Sequence, residues 1–173
     1  MTLFKQRKVE DPTSMTSKES TLSLLDYLPV SCIHIDLKSQ TKKEVLKELV
    51  SLLATNKKMK NPEKVLKTLQ DREELGSTGI GQGVAIPHGK SDDLEDIQMA
   101  VGISRKGIDF NALDGEPVHL FFILIAPQNS TGTHLKILAK ISRLLKDKFF
   151  RQALRESKSP EEVLKQIQDE NEY

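Results

Sequence analysis

The sequence predicts one α/β domain in which a mixed β-sheet of about five strands carries helices on both faces. Three observations give that class. Segments of helical and strand period intermix without strict βαβ alternation, which predicts a mixed sheet rather than a parallel one. One strand candidate, VHLFFILIA, is apolar at nearly every position, as a central strand covered on each side must be. Finally, 173 residues suffice for one sizeable core, and the chain shows neither an internal repeat nor a second compositional block.

The elements follow in chain order. Residues 1 to 20 are rich in Lys, Ser and Thr without any period, which predicts a mobile tail ahead of a domain spanning residues 21 to 170. SCIHIDL, Ser31 to Leu37, alternates and reads as a strand. TKKEVLKELVSLLA opens with Thr41 and Glu44 in capping-box spacing and repeats apolar residues at 45, 46, 49, 50 and 53, an amphipathic helix. A second helix, NPEKVLKTLQDREEL, has Asn61 as N-cap and Pro62 at its first position. After a glycine-rich stretch come the strands IQMAVGIS and VHLFFILIA, joined by the turn-like NALDGEP, whose Asp109, Asp114 and Glu116 are explained by turn chemistry. THLKILAKISRLLKD predicts a helix with Leu135, Leu138, Ile141 and Leu145 on one face. FFRQALRE and SPEEVLKQIQDE, the latter with Ser159 and Glu162 as a capping box, complete the chain.

Composition narrows the function. Lys plus Arg number 26 against 25 for Asp plus Glu, so net charge gives no case for a nucleic-acid partner or an anionic membrane. The longest apolar run, Leu120 to Ala126, falls far short of the ~20 residues a membrane span needs, so no membrane insertion is expected. The N-terminus has no apolar segment of the signal-peptide kind, and Cys32 is the single cysteine. Intrachain disulfides and thiolate metal sites are thereby excluded, and a cytoplasmic location is expected. The four histidines show no H-E-x-x-H spacing, so no metal is expected. His34 is the polar member of an alternating strand pattern, which most often faces out, and His119 begins the central strand, where it could border a site but is given no role.

The stretch GSTGIGQGVAIPHGK, Gly76 to Lys90, concentrates five glycines around one histidine. Gly76 and Gly81 have the spacing of a nucleotide P-loop, but Gln82 and Gly83 stand where Lys and Ser or Thr are required. Gly79 and Gly81 begin a dinucleotide fingerprint, and Val84 stands at its third glycine. The stretch also follows a helix and precedes a strand, the reverse of both motifs. What is left is backbone able to approach a ligand closely, leading to His88 through Pro87, which fixes φ and donates nothing. A neutral imidazole is a nucleophile near neutral pH. The hydroxyls of Ser77 and Thr78 and the amides of Gly79 and Gly81 are candidates to meet a phosphoryl group. A structural turn carrying an incidental histidine fits the same residues.

The segment E-x6-I-G-x2-V-A-I-P-H-G, Glu73 to Gly89, resembles the active-site signature of phosphotransferase-system enzyme IIA of the fructose/mannitol type (type 2). REELGSTGIG is similar to the stretch in its fructose and nitrogen-regulatory members, and the resemblance extends from Leu22 to about Gln168. It implies the mannitol/fructose IIA fold and a phosphocarrier, an enzyme in the sense of a covalent phosphohistidine carrier. His88 matches the histidine that accepts a phosphoryl group on Nε2 from phospho-HPr or a paralogue. His134 matches the second active-site histidine, and Arg72 the arginine that leads into the glycine loop. From the residues alone, His134 fits a core position on its helix equally well, and Arg72 fits a solvated charge at a helix end. No cofactor is implied. The onward partner is an enzyme IIB or, in a nitrogen-regulatory member, target proteins. The absence of a fused IIB or membrane segment in this sequence inclines the expectation toward regulation over sugar transport.

Overall fold

The sheet is organised around the strand β6, Val118–Ala126, in which every residue except His119 is buried. A strand buried on both faces has no water for its amides, so both edges must be paired within the protein. The antiparallel strand β5, Gln98–Ile108, pairs one edge, from Gln98 opposite Ile125 to Ile108 opposite Val118. Two short parallel strands share the other edge end to end: β3, Val84–Ala85, beside Leu120 and Phe121, and β4, His88–Lys90, beside Leu124 to Ala126. A hairpin strand β2, Gly79–Gly81, lies outside β3, and β1, Ile33–His34, closes the far edge in parallel with β5. This computed structural model describes residues 22 to 56 and 58 to 171. The expected tail, residues 1 to 20, lies outside them.

Helices cover both faces. α1, Lys42–Ala54, packs with α2, Pro62–Glu74, and against β5; α4, Lys148–Glu156, packs with α5, Pro160–Asn171, and against β6. Their starts are where the sequence places them. Thr41 accepts the Glu44 amide at 3.2 Å, Asn61 that of Lys64 at 3.2 Å, and Ser159 that of Glu162 at 3.2 Å, each satisfying a donor the helix leaves open. The apolar stripe of α1, Val45, Leu46, Leu49, Val50 and Leu53, is buried throughout.

Three expectations change. The sheet has six strands rather than about five, because the chain pairs with β6 a second time at His88. The strand expected over Ser31 to Leu37 shrinks to Ile33–His34, since Pro29 starts a 3-10 turn over Val30–Cys32 and accepts the Cys32 amide at 2.9 Å. On α3, Thr131–Leu144, Ile141 and the following Leu145 are buried and Leu138 packs against the core as expected, but Leu135 is 60% exposed and His134, Ile137 and Lys140 are buried instead. Leu135 and Ile137 both fit helical spacing with Ile141, and a buried histidine decides between them. We therefore expect Ile137→Ala to cost about 2–5 kcal/mol in denaturant unfolding, and Leu135→Ala to stay within about 0.5 kcal/mol. Equal losses would return the core stripe to Leu135.

Candidate functional site

Pro87 interrupts the β6 edge because it has no amide to give. Its carbonyl still accepts the Leu124 amide at 3.0 Å, and the chain rejoins the ladder one residue later. His88 therefore emerges beside the carboxyl-terminal half of the central strand, where open α/β sheets hold ligands. Its ring is fixed: Nδ1 lies 2.7 Å from the Ile86 carbonyl oxygen. A carbonyl accepts only, so Nδ1 carries the proton and Nε2 keeps its lone pair.

β6 leads through Pro127 to Ser130 into α3, which brings His134 over the same spot. The two rings stand edge to face with centroids 5.9 Å apart. His134 is 4% exposed, yet neither ring nitrogen has a hydrogen-bond partner among the described residues. Buried polar atoms without partners are costly, and here both belong to a ring adjoining His88. Burial foremost, then the charges of His88 and Lys90, lower the His134 pKa below the ordinary value of 6.5. It is neutral at pH 7 and still has one N–H to donate.

Lys90 completes the group. It lies two residues beyond His88 on the same strand, hence on the same side, and its ammonium donates to the Thr131 hydroxyl at the first turn of α3. That turn is open: Ser130 at its N-cap accepts no helix amide, its hydroxyl pointing instead to Asn129 Oδ1 at 3.5 Å, whereas Thr41, Asn61, Asp147 and Ser159 all cap theirs. Unpaired helix amides, the helix dipole, a lysine and two histidines together suit an anion.

Arg72 flanks this group. α2 runs antiparallel to β4: Lys64 pairs with Asp92, and a Cβ on Gly89 would stand 2.9 Å from Thr68. One further helical turn, about 5.4 Å, carries Arg72 toward the level of His88. Its Nη1 donates to the Gly76 carbonyl at 2.9 Å and so pins the loop leaving α2.

The other expected phosphoryl-binding residues are engaged elsewhere. Ser77 Oγ donates to the Phe110 carbonyl at 3.0 Å and accepts the Gly79 amide at 3.0 Å. Thr78 gives both its amide and its hydroxyl to Glu73. Gly81 pairs with Val84 beside Leu120, four positions and about 13 Å along β6 from the partner of His88. The glycines serve close packing instead: a Cβ on Gly79 would lie 2.9 Å from the Ala112 backbone. His119 is held at the opposite end of β6, its Nδ1 2.9 Å from the Ser104 carbonyl. Sequence pattern alone gives no site role to Lys90 or Glu73. A strand continuing through His88 would have shown Lys90 on its face.

Residues 26 to 170 match the family model described as "Phosphoenolpyruvate-dependent sugar phosphotransferase system, EIIA 2", and the chain belongs to that family. Among its relatives is the nitrogen regulatory protein of Escherichia coli (strain K12), 39% identical over 158 residues, 90% of this chain and 95% of that one. The fructose-specific EIIABC component of Bacillus subtilis (strain 168) is 32% identical over 83% of this chain, which corresponds to 22% of that protein. In structure the chain is similar to nitrogen regulatory protein IIA-Ntr from Neisseria meningitidis, with a TM-score of 0.78, 39% identity and coverage of 82% and 97% of the two chains. The mannitol IIA of Escherichia coli shares the fold, with a TM-score of 0.70 at 22% identity and coverage of 80% and 97%. Among the described residues no helix is long and apolar enough to cross a membrane.

The lowered His134 pKa has a measurable consequence. The unfolded chain holds that proton more tightly, so stability is complete above pH 6.5 and declines as pH falls from there toward the folded value. Unfolding midpoints at pH 7 and pH 5.5 should differ more for the wild type than for His134→Gln. Equal differences would mean that His134 titrates normally.

Proposed function

We propose that this protein is a phosphocarrier that takes a phosphoryl group on Nε2 of His88 from an HPr-type donor. The observation that carries this reading is the Nδ1 contact of His88 with the Ile86 carbonyl, which leaves Nε2 as the nucleophilic atom beside the unpartnered ring of His134. The lone pair on Nε2 attacks phosphorus in line, the donor's P–N bond breaks, and its electron pair returns to the donor imidazole. Such transfer passes through a loose transition state that needs position and charge stabilisation more than covalent help. Lys90, the open amides of α3 and the neutral His134 N–H supply donors for the phosphoryl oxygens. Arg72 adds a cation at the rim. The step needs neither metal nor nucleotide.

The destination follows the relatives. Identity is 39% to the nitrogen regulatory protein of Escherichia coli and 32% to the fructose-specific component of Bacillus subtilis, which favours a regulatory module whose protein contacts change with the charge on His88. The alternative is transfer to an enzyme IIB in sugar transport. It is favoured by the structural likeness to the mannitol IIA that forms a complex with phosphorylated IIB. Either role places the protein in the cytoplasm.

Intact mass, taken with and without enzyme I, an HPr-type carrier and phosphoenolpyruvate, tests the reading. One acid-labile phosphate on the wild type and none on His88→Ala is the expected result. His134→Ala should charge more slowly yet to completion. A His88→Ala protein labelled like the wild type would sink the assignment. Adding a separate IIB domain then distinguishes the destinations, since only the transport role predicts rapid loss of the label to it.

A further inference from the structure

Glu73 is a carboxylate that bonds to no histidine among the described residues, yet it is 8% exposed and almost fully bonded. Both its oxygens accept the Thr78 amide at 3.1 Å, one also accepts the Thr78 hydroxyl, and Lys42 at the start of α1 reaches it at 2.8 Å. The Lys42 ammonium sits 4.6 Å from the centre of the Phe110 ring, so the pair ties α1, α2 and the Phe110 segment together. Burying an ion pair is costly and adds little stability by itself. Its donors other than Lys42 come from one residue, Thr78.

That residue leads to the site. The Thr78 carbonyl accepts the Ile86 amide at 3.0 Å, and the Ile86 carbonyl is the group that holds Nδ1 of His88 at 2.7 Å. The peptide between Ile86 and Pro87 is constrained at both ends, by Thr78 on one side and by the Pro87 carbonyl on Leu124 at 3.0 Å on the other. From the Glu73 carboxylate to the His88 ring there are three consecutive hydrogen bonds. The cleft that opens on the other side of Glu73, between α1 and α2, has a volume of about 770 Å³ and includes neither histidine.

We propose that Glu73, anchored by Lys42, is the positioning residue of His88. It acts through Thr78 and Ile86 in the way a carboxylate orients a catalytic histidine directly in other enzymes. The bond from Thr78 to the Glu73 carboxylate is charge-assisted and therefore strong, and hydrogen bonds linked in a chain strengthen one another. The chain fixes the orientation of the Ile86 carbonyl, hence the tautomer of His88 and the aim of Nε2. The proposal rests on the reading of His88 as phosphoryl acceptor.

Its test compares Glu73→Gln, Glu73→Ala and Thr78→Val with Leu164→Ala. Leu164 is a half-buried residue of α5, a helix that packs on α4 and β1, away from β4. Two quantities are read on the full chain: the histidine ¹⁵N spectrum, which gives the tautomer of His88, and the rate of uptake from labelled donor over a range of donor concentrations. The wild type should show His88 protonated at Nδ1. In Glu73→Ala the Nε2–H tautomer should appear and the maximal rate fall about tenfold or more, with half-saturation changed less than about threefold. Glu73→Gln keeps an acceptor for Thr78 and should fall between, as should Thr78→Val, and both serve if the alanine variant fails to fold. Leu164→Ala should lose stability and keep both tautomer and rate. An unchanged tautomer and rate in the folded Glu73 variants overturns the proposal, and so does an equal loss of rate in Leu164→Ala. Should the wild type take no phosphate, the phosphocarrier reading fails. The tautomer comparison would then still decide the role of Glu73.

Discussion

Everything at the candidate site descends from the need to pair β6 along both edges. Its two faces lie under helices, so an unpaired amide there would meet no water and would cost on the order of 1–3 kcal/mol. One edge is filled by a single long strand, β5; the other by two fragments, β3 and β4, separated at Pro87. The break is tolerable because proline has no amide to leave unpaired, and its carbonyl still serves Leu124. Regular pairing ends and restarts within two residues, Ile86 and Pro87. In that gap the Ile86 carbonyl turns out of the ladder to hold the His88 ring.

The electrostatics of the site are those of a place awaiting an anion. His134 is buried and kept neutral, α3 begins without a side-chain cap, and Lys90 leans on Thr131 at that same turn. Each feature alone has a structural explanation. Together they put donors around one position. A phosphoryl group with about two negative charges would meet fixed donors, and the neutral His134 would supply a hydrogen bond to it.

The sequence made the helices legible because their caps and stripes are local chemistry: Thr41, Asn61 and Ser159 act where their spacing puts them. It made His88 legible through the density of glycine and Pro87 around it. The misplaced details depend on contacts distant in sequence. Leu135 and Ile137 are indistinguishable by period, and only the burial of His134 against β4 selects between them. Ser77 and Thr78 look free for a ligand until Phe110 and Glu73 arrive to claim them. Lys90 was hidden because its short strand, His88–Lys90, resumes only after Pro87, and Glu73 by its place on a helix whose other acids are solvated. Family membership, by contrast, was carried by one contiguous segment, Glu73 to Gly89, and was therefore readable without any fold.

The most direct measurement is the linkage of the phosphoryl group in the charged protein, read from phosphorus–nitrogen coupling in ³¹P and ¹⁵N spectra of histidine-labelled material. A single phosphohistidine joined through Nε2 of residue 88, with Nδ1 still protonated, is the predicted result. A phosphoryl group on Nδ1 would require the bond to the Ile86 carbonyl to be broken, and that result would contradict the role of the whole β3–β4 junction in aiming His88.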